Sequence, residues 1–313
     1  MNKTHTAALN ICNAIGNTPI VKLSKIVPEN CADIFVKLEY FNPTGSYKDR
    51  KALAIIEEAE KRGDLKKGMT VIESTAGGTG TALALICSVK GYHLKIITSD
   101  AFAKEKLQSM KLFGAELEII ESEAGKITPE LIPKMIARTE ELSKDKNFYW
   151  ARQFENADSL EGYKKMANEI IAQINKSIDA FCSAVGTAAM FTGVNLVFKD
   201  KFPEIRSIIL EPASAPLISK GIKGKHTVDG IAPGFIPALL KKTQFDEARP
   251  VDENEARKMA KLLASKEGIF AGTSTGLNVV AAIELAKELG PGHTVVTVAC
   301  DSGMKYLASG LFD

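Results

Sequence analysis

Several features that mark other classes of protein are scarce or missing in this sequence. Its 313 residues contain one tryptophan and five cysteines, and no two cysteines form the CxxC pair of zinc sites and disulfide frameworks. No apolar run is long enough to cross a bilayer. The amino-terminal MNKTHTAALN lacks the apolar core of a signal peptide. We therefore expect no metal site, no disulfide framework, no secretion signal and no membrane association.

An excess of charge is missing as well. The 40 basic and 38 acidic residues leave a net charge of +2, which gives no reason to expect binding to nucleic acid or to a membrane surface. The scattered cysteines, at 12, 31, 87, 182 and 300, are expected to be buried thiols of a reducing compartment, the cytoplasm. With 45% hydrophobic residues, the chain is long enough for one large domain or two medium ones.

What the sequence does contain is an alternation of strand and helix patterns. The strand-like segments include DIFVKLE, MTVIEST, LKIITS, AFCSAV, SIILEP and HTVVTVAC. Between them we predict helices, among them a charged one from about Lys104 to Phe113 and a longer one from Thr128 to Lys144. This alternation predicts parallel sheets covered by helices on both faces. Asn156 to Ser159 is a plausible crossing between two domains.

One lysine occupies a position where its chemistry would be special. In NPTGSYKDR, residues 42–50, turn residues lead into a helical run, so Lys48 falls in the first turn of a helix. The positive end of the helix dipole opposes a cation there, which favours the neutral, nucleophilic amine. Such lysines form Schiff bases, including with pyridoxal phosphate (PLP). Most lysines are solvated surface groups, so this turn alone leaves both interpretations open.

Turns of small residues follow several of the predicted strands. They lie at 75–80, 186–189, 273–276 and 301–303. Ligands of open α/β sheets bind at the turns beyond the carboxyl ends of the strands, and backbone N–H groups there bind anions. None of the turns matches a Walker or dinucleotide motif. Several of them together with an early lysine indicate a cofactor that carries a phosphate.

The motifs together resemble a known family. In chain order they are IGNTPIVKL, VKLEYFNPTGSYKDR, VIESTAGGTGTALA, AVGTAAMFTGV, Glu211-Pro212, DGIAPGFIP, EGIFAGTSTG and DSGMKYL. Over nearly its whole length the chain is similar to the cysteine synthase and cystathionine β-synthase family of PLP-dependent enzymes, fold type II or tryptophan synthase β-like. The resemblance implies two three-layer α/β/α domains with mostly parallel sheets. It also implies a larger PLP-binding domain, 1–45 plus 156–313, and a smaller mobile domain, 46–155, that closes over the substrate.

The resemblance also implies roles for individual residues. Lys48 would hold the cofactor aldehyde and move the substrate's α-proton. The phosphate would lie against Gly186, Thr187, Ala188 and Ala189. The substrate carboxylate would bind the loop Thr75, Ala76, Gly77, Gly78 and Thr79, with Gln153 as a second contact, and Ser274 would face the pyridine nitrogen. The open alternatives are that Thr75 and Ser274 cap helices and that Gln153 is a surface amide.

Several positions depart from the family pattern. Ala76 lacks the hydroxyl usual there, and Gly78 replaces an asparagine that normally bonds the cofactor's ring oxygen. In the phosphate loop, Met190 stands where a threonine often bonds the phosphate, and two glycines are alanines. In the long loop, Asp229 precedes Gly230; this carboxylate either caps a turn or acts on an incoming or leaving group. The departures cluster at expected cofactor and substrate contacts, so they bear on the specific activity rather than on the fold.

A serine at position 274 bears on the type of reaction. A hydroxyl opposite the pyridine nitrogen makes the ring a weaker electron sink than a carboxylate would, which suits loss of a β-substituent better than transamination or racemisation. The expected enzyme is a lyase or transferase resembling O-acetylserine sulfhydrylase. It would form L-cysteine or a related amino acid from an activated serine through an aminoacrylate, in amino-acid biosynthesis.

Two other functions remain open at this point. One is a cysteine β-lyase or hydroxyl-exchange enzyme that releases hydrogen sulfide, or a synthase of another β-substituted alanine. The other is a non-catalytic sensor that binds PLP. By analogy with the family we expect a homodimer, and a serine acetyltransferase is a candidate partner.

Overall fold

The computed structural model describes residues 7–126, 130–309 and 311–312. Within them the strands are β1 (Ile20–Lys22), β2 (Asp33–Leu38), β3 (Thr70–Ser74), β4 (His93–Ser99), β5 (Glu116–Ile120), β6 (Phe148–Trp150), β7 (Ala180–Ala184), β8 (Arg206–Pro212), β9 (Glu247–Val251) and β10 (Thr294–Ala299). The α-helices are α1 (Lys48–Arg62), α2 (Gly78–Lys90), α3 (Lys104–Leu112), α4 (Leu131–Leu142), α5 (Ser159–Ile174), α6 (Ala189–Lys201), α7 (Leu217–Lys220), α8 (Glu253–Leu262) and α9 (Thr273–Leu289). Short 3-10 helices lie at Ile11–Ala14, Glu39–Phe41, Ala238–Lys242 and Gly303–Ser309, and a π-helical turn at Leu263–Glu267.

The chain forms two compact units. The smaller comprises the chain up to Asn17, Asn42–Thr44 and Lys48–Arg152, and the larger comprises Thr18–Phe41, Gly45–Tyr47 and Gln153–Asp313. The chain therefore changes unit three times between Phe41 and Lys48. The domain limits expected from the sequence, and the mobility of the smaller domain, stay predictions.

The larger unit is built on a six-stranded sheet. Its strand order is β1-β2-β10-β7-β8-β9, and every pairing is parallel except that of β1 with β2. β10, which reads TVVTVA, is buried along its whole length, as expected for a central strand with helices on both faces. One face packs with α9 and α8 in a first apolar core. The other packs with α5 and α6 in a second.

The smaller unit holds a parallel four-stranded sheet of order β5-β4-β3-β6. Neighbouring residues of a strand point to opposite faces, so Ile96 joins the core under α1 and α2, while Ile97 packs with Phe102, Leu131 and Met135 on the face of α4. Both units are therefore α/β/α layers with mostly parallel sheets, and the predicted fold class is confirmed.

The elements predicted from the sequence differ from the structure in a few places. The charged helix ends at Leu112 rather than Phe113, and α4 covers Leu131–Leu142; the predicted start at Thr128 lies outside the described residues. Strand β9 was not predicted. It reads EARPV, and its charges and Pro250 hide the strand pattern, but a proline is tolerated because β9 is an edge strand.

The cysteines are free thiols. Cys12, Cys87, Cys182 and Cys300 are buried as predicted, whereas the prediction was wrong for Cys31, which is partly exposed. Burial raises the pKa of Cys87 and of Cys182 to about 12, so neither is a thiolate at neutral pH. Among the described residues, none of the helices has the length and apolar character that a bilayer crossing requires.

Candidate active site

Lys48 is the first residue of α1. The turn before it is held by Asp49, whose buried carboxylate accepts a hydrogen bond from the backbone N–H of Thr44 at 2.7 Å and another from the Thr44 hydroxyl. A carboxylate in the first turn also suits the positive end of the helix dipole. The local sequence therefore fixes the point at which Lys48 leaves the backbone.

The side chain of Lys48 lies against the start of α2. A methyl group built on Gly78 would stand 3.0 Å from Cδ and 3.4 Å from Nζ of Lys48. Contacts of this length are tight, so a larger residue at position 78 would displace the lysine. The replacement of asparagine by Gly78, noted in the sequence, thus gives Lys48 room at this helix start.

The loop between β3 and α2 contains the predicted carboxylate contacts. Thr75 and Thr79 are buried, and the Thr75 hydroxyl oxygen accepts a hydrogen bond from the backbone N–H of Gly77 at 3.1 Å. This bond closes a local turn before α2 and does not cap the helix, because Gly77 is the N-cap residue and receives no side-chain cap; it leaves the Thr75 O–H as a donor. Gly77 has φ of 150°, a conformation that only glycine adopts readily, and Ala76 is exposed.

Two further lysines reach this loop. A methyl group on Gly77 would stand 2.5 Å from Cδ of Lys106, so the stem of this α3 side chain lies over the loop. From α1, Nζ of Lys51 donates to Oγ1 of Thr79 at 3.0 Å. Together with Lys48 they bring three lysine side chains to the start of α2, a set of donors that suits an anionic ligand.

Lys51 was missed by sequence reasoning. Only 2% of it is exposed, and its pKa is lowered to about 7 by burial and by the nearby charge of Lys48, against an opposing influence of Glu73. The available signal was its spacing: Lys51 lies three residues after Lys48 and four before the buried Ile55, so it falls on the apolar side of α1.

In the larger unit, the turn after β7 is the predicted phosphate loop. A methyl group on Gly186 would stand 2.3 Å from the carbonyl oxygen of Gly230, so only glycine fits where the long loop crosses this turn. The backbone N–H of Ala232 donates to the carbonyl of Val185 at 2.9 Å, which fastens the crossing. The structure thus brings Gly186 and Gly230 together.

The same turn opens α6. Ala188 has φ of 63°, the left-handed conformation that exposes successive N–H groups in one direction, and no side chain caps the helix there. Thr187 is partly buried and Ala189 is buried. Met190 is 4% exposed and belongs to the apolar core on this side of the sheet, so only its backbone is suited to an anion. These donors fit a phosphate dianion.

Ser274 lies buried in the first turn of α9. A methyl group on the preceding Gly272 would stand 2.8 Å from Oδ1 of Asp301. Oδ2 of Asp301 accepts from the Tyr306 hydroxyl at 2.8 Å, whereas Oδ1 is buried without a hydrogen-bond partner among the described residues. This helix start therefore has an unsatisfied polar atom.

The remaining predicted residues of the larger unit differ in exposure. Gln153 is buried, so the surface-amide alternative is wrong, whereas Asp229 is exposed. Burial together with the charges of Asp301 and Asp229 raises the pKa of Tyr306 well above its usual value, so this phenol keeps its proton. Asp229 therefore acts electrostatically on the same group of side chains as Asp301.

The chemistry of these donors fits PLP and an amino acid. The smaller unit offers an amine and a cationic loop; the larger offers a turn of backbone N–H groups and a helix start with a hydroxyl and an unsatisfied carboxylate oxygen. These are the groups that an aldehyde, a carboxylate, a phosphate and a heteroaromatic ring require.

Comparisons with known proteins agree with this chemistry. The family described as "Pyridoxal-phosphate dependent enzyme" matches residues 11–301. A cysteine synthase of Staphylococcus aureus is 40% identical over 307 residues, 97% of this chain and 96% of that protein. An O-ureido-L-serine synthase of Streptomyces lavendulae is 35% identical over 306 residues, 97% of this chain and 92% of that protein.

Two solved structures extend the comparison. An O-acetyl serine sulfhydrylase of Entamoeba histolytica superposes with a TM-score of 0.93 at 35% identity, over 100% of this chain and 93% of that one. A hydrogen sulfide-producing enzyme of Fusobacterium nucleatum has a TM-score of 0.88 at 38% identity, over 96% and 100% of the two chains. The resemblance found in the sequence is confirmed: the chain belongs to the pyridoxal-phosphate dependent enzyme family and is a PLP-dependent β-replacement enzyme of the cysteine synthase type.

Proposed function

We propose that this enzyme forms L-cysteine from an activated serine, with O-acetylserine as the donor and sulfide as the nucleophile. The observation that carries the proposal is the position of Lys48 at the start of α1 with its side chain against Gly78. An amine there adjoins the loop proposed to bind the amino acid. The names of the Staphylococcus and Entamoeba relatives support the donor and the product.

In the smaller unit, Nζ of Lys48 is proposed to hold the cofactor aldehyde and then to accept the proton from Cα of the substrate. Bound PLP supplies the electron sink that lets the Cα–H bond and the bond to the β-substituent break. The hydroxyl groups of Thr75 and Thr79 and the backbone of the loop orient the substrate carboxylate. Further proposed contacts of this unit are Ala76, Gly77 and Gly78.

In the larger unit, the backbone N–H groups from Gly186 to Met190 are proposed to bind the phosphate. Oγ of Ser274 would lie toward the ring nitrogen of bound PLP, and a neutral hydroxyl there would supply no full countercharge, which disfavours long-lived carbanions and suits β-replacement. Gln153 and Gly230 contribute substrate contacts. These roles follow the family motif residue by residue.

A second candidate is release of hydrogen sulfide from cysteine, with a hydroxyl or another nucleophile taking its place. The observation that favours it is the exposed carboxylate of Asp229 in the long loop, whose charge acts on Tyr306. We propose that this carboxylate acts on an incoming or leaving group. The Fusobacterium relative is named as a hydrogen sulfide-producing enzyme.

The test is an absorbance scan of the purified, PLP-loaded protein with O-acetylserine, O-phosphoserine, serine or cysteine, each with and without sulfide. Cysteine formation from O-acetylserine supports the synthase, and sulfide release from cysteine as the faster reaction supports the alternative. No response to any donor would leave only a PLP-binding sensor.

The variant Lys48→Ala is expected to lose the band of lysine-bound PLP and to slow turnover on the order of 10³-fold, the usual contribution of a general base. Lys258→Ala is the matched control, since Lys258 lies exposed on α8 and pairs with Glu255. Unchanged turnover in Lys48→Ala would overturn the proposed role.

We further propose, by analogy with the family, that the enzyme is a cytoplasmic homodimer and that a serine acetyltransferase binds it. Light scattering of the purified protein tests the dimer, and co-elution with a serine acetyltransferase tests the partner.

A further inference from the structure

The backbone ladder between β7 and β10 stops before the carboxyl ends of the two strands. It pairs Ala180 with Val295 and Phe181 with Val296, whereas the ladder between β10 and β2 follows β10 over its whole length. Both β7 and β10 continue beyond their last shared pair. Because buried backbone groups need hydrogen-bond partners, those at this end of the two strands must bond in another way.

Side chains take the bonds that a longer ladder would make. Continued in the same register, a parallel ladder would join the N–H of Ala184 to the carbonyl of Val298. Instead the side-chain amide of Asn278 lies between them: its Oδ1 accepts from the Ala184 N–H at 2.8 Å, and its Nδ2 donates to the Val298 carbonyl at 2.8 Å. Nearby, the carbonyl of Cys182 accepts from the Thr297 hydroxyl at 2.8 Å.

An amide inserted in this way keeps the two strands apart at this point. A direct backbone bond would bring the nitrogen and the oxygen to about 2.9 Å from each other, whereas here an amide group and two hydrogen bonds lie between them. Asn278 is fully buried and stands one turn after Ser274 on α9. In the same helix, Oγ1 of Thr275 accepts from the N–H of Cys300, directly after β10, at 3.0 Å. The first turns of α9 are therefore fastened to the ends of both strands.

This edge of the sheet is where the proposed cofactor contacts of the larger unit begin. Gly186 follows shortly after the end of β7, and α9 starts at Thr273. The helix after β7 packs in the second apolar core and α9 packs in the first, on the opposite face of the sheet. Ligands of α/β sheets bind in the crevice between strands whose connections lie on opposite faces.

We infer that Asn278 is a positioning residue that sets the distance between the phosphate turn and the Ser274 hydroxyl. The inference rests on the proposed function, in which the turn at Gly186 binds the phosphate and Ser274 lies toward the ring nitrogen. Phosphate and ring nitrogen belong to one small molecule with a planar ring, so both contacts form together only when the protein holds the two sites at the matching distance. Asn278 acts through Ala184 and through the first turn of α9.

The experiment compares a ligand that needs both sites with one that needs a single site. Deoxypyridoxine phosphate has the ring and the phosphate but a methyl group in place of the aldehyde, so its binding requires no bond to Lys48. Inorganic phosphate needs the turn alone. Calorimetry of the whole chain without PLP measures both dissociation constants, for the wild type and for Asn278→Leu. Leucine has a similar volume but neither donates nor accepts a hydrogen bond.

The two ligands are expected to respond differently. Asn278→Leu is expected to bind deoxypyridoxine phosphate about tenfold more weakly, the effect of losing about one hydrogen bond to the ring, and to bind inorganic phosphate within about twofold of the wild type. Ser274→Ala is expected to weaken deoxypyridoxine phosphate about tenfold in the wild type and to have almost no further effect in Asn278→Leu, because the two residues then act on the same contact.

Asn195→Leu is the matched control. Asn195 is also a buried asparagine of the larger unit, and its Nδ2 donates to Oγ1 of Thr243 at 2.9 Å and to the carbonyl of Gln244 at 2.6 Å. Neither of these partners belongs to β7 or β10. Asn195→Leu is expected to lower the free energy of unfolding, because it leaves buried polar groups unpaired, and to leave both dissociation constants unchanged.

A second variant serves if Asn278→Leu does not fold. Thr297→Val is nearly isosteric and removes only the bond to the Cys182 carbonyl, which allows the two strands to approach. It is expected to weaken deoxypyridoxine phosphate about threefold, and inorganic phosphate not at all.

The outcomes are distinct. Equal losses for both ligands in Asn278→Leu, no loss for either, or the same losses in Asn195→Leu overturn the inference. An effect of Ser274→Ala that is absent in the wild type, or undiminished in Asn278→Leu, overturns it as well. The proposed reaction fails separately: a PLP-loaded wild type that responds to no donor, while deoxypyridoxine phosphate binds as expected, loses the proposed activity and keeps the inference.

Discussion

Each of the two units buries a lysine, and the surroundings of the two side chains differ. Lys37 of β2, in the larger unit, is fully buried and donates to the carbonyl of Thr18 at 2.7 Å, to Glu169 at 2.8 Å and to Gln173 at 2.9 Å. Lys51 of α1 donates to a hydroxyl and lies near Lys48, and its pKa is lowered. A lysine that serves the fold has a carboxylate in its hydrogen-bonding shell. Burial thus leaves Lys37 paired with a carboxylate, whereas it makes the charged form of Lys51 less favourable.

The largest expected effect is that two matched substitutions change the free energy of unfolding in opposite directions. Lys37→Met removes the buried ammonium group that pairs with Glu169 and donates to the Thr18 carbonyl, so we expect it to lower the free energy of unfolding by about 3 kcal/mol. Lys51→Met removes a lysine whose charged form is disfavoured by burial, and we expect a gain of up to about 1 kcal/mol in the free energy of unfolding. Urea unfolding of the PLP-free protein at pH 7, followed by circular dichroism, measures both.

A loss in Lys51→Met as large as that in Lys37→Met would contradict the comparison, because it would show that Lys51 also serves mainly to hold the fold. Lys51→Arg is the control for side-chain volume, since it keeps the charge at a similar size.

The second prediction concerns the pH dependence of stability. The pKa of Lys51 falls from 10.5 to about 7 on folding, so between these values the unfolded chain holds a proton that the folded chain does not. The free energy of unfolding must therefore rise with pH. The cost of burying the charged lysine is complete below pH 7 and is relieved as the pH approaches 10.5. The wild type is expected to gain about 1 kcal/mol relative to Lys51→Met from pH 7.5 to 8.5.

The measurement is the urea midpoint of both proteins at several pH values in that range. Only the difference between them is used, because other titrating groups contribute equally to each. A difference that stays constant from pH 6.5 to 9.5 would mean that Lys51 keeps its proton in the folded state.

The sequence predicted the sheets and drew attention to Lys48, but it did not predict the environments of Lys37 and Lys51. Apolar runs such as β10 and small-residue turns after strands are local signals, and they predicted both sheets and drew attention to Lys48. Thr79, which accepts from Lys51, lies 28 residues along the chain, and Glu169, which pairs with Lys37, lies 132 residues along it. Because a buried lysine and a solvated one look alike until the opposing element is placed, neither environment was visible in the sequence.

Long-range packing also explains the other differences between the sequence-based predictions and the structure. Pro250 and the charges of β9 indicate a loop locally, and only the edge position of the strand makes them acceptable. The unsatisfied oxygen of Asp301 depends on the packing of Tyr306 and of the turn at Gly272, which no pattern of residue types specifies. The turns that follow the strands could be predicted from the sequence, whereas the electrostatic environments of the buried charged side chains could be seen only in the fold.

A smaller effect is expected from Glu73→Gln. Glu73 is the weakest of the three influences on Lys51 and the only one that raises its pKa. Its removal is expected to lower the pKa of Lys51 further, since the cation becomes less favourable, so the rise of the free energy of unfolding with pH should begin about half a pH unit lower. Urea unfolding of Glu73→Gln from pH 5.5 to 8.5, with and without Lys51→Met, gives the pH at which this rise begins, and a shift to higher pH would contradict its assignment to Lys51.

The smallest effect is expected from an exposed lysine, which sets the baseline for the comparison. Lys258 donates to Glu255 at 2.8 Å across one turn of α8, but its side chain is 73% exposed. The bond raises the pKa of Lys258, yet water and salt screen such a pair. Lys258→Met is therefore expected to leave the urea midpoint unchanged from pH 6.5 to 9.5 and at both low and high salt. A loss comparable to that of Lys37→Met would show that burial is not what separates these lysines, and the distinction between Lys37 and Lys51 would need another cause.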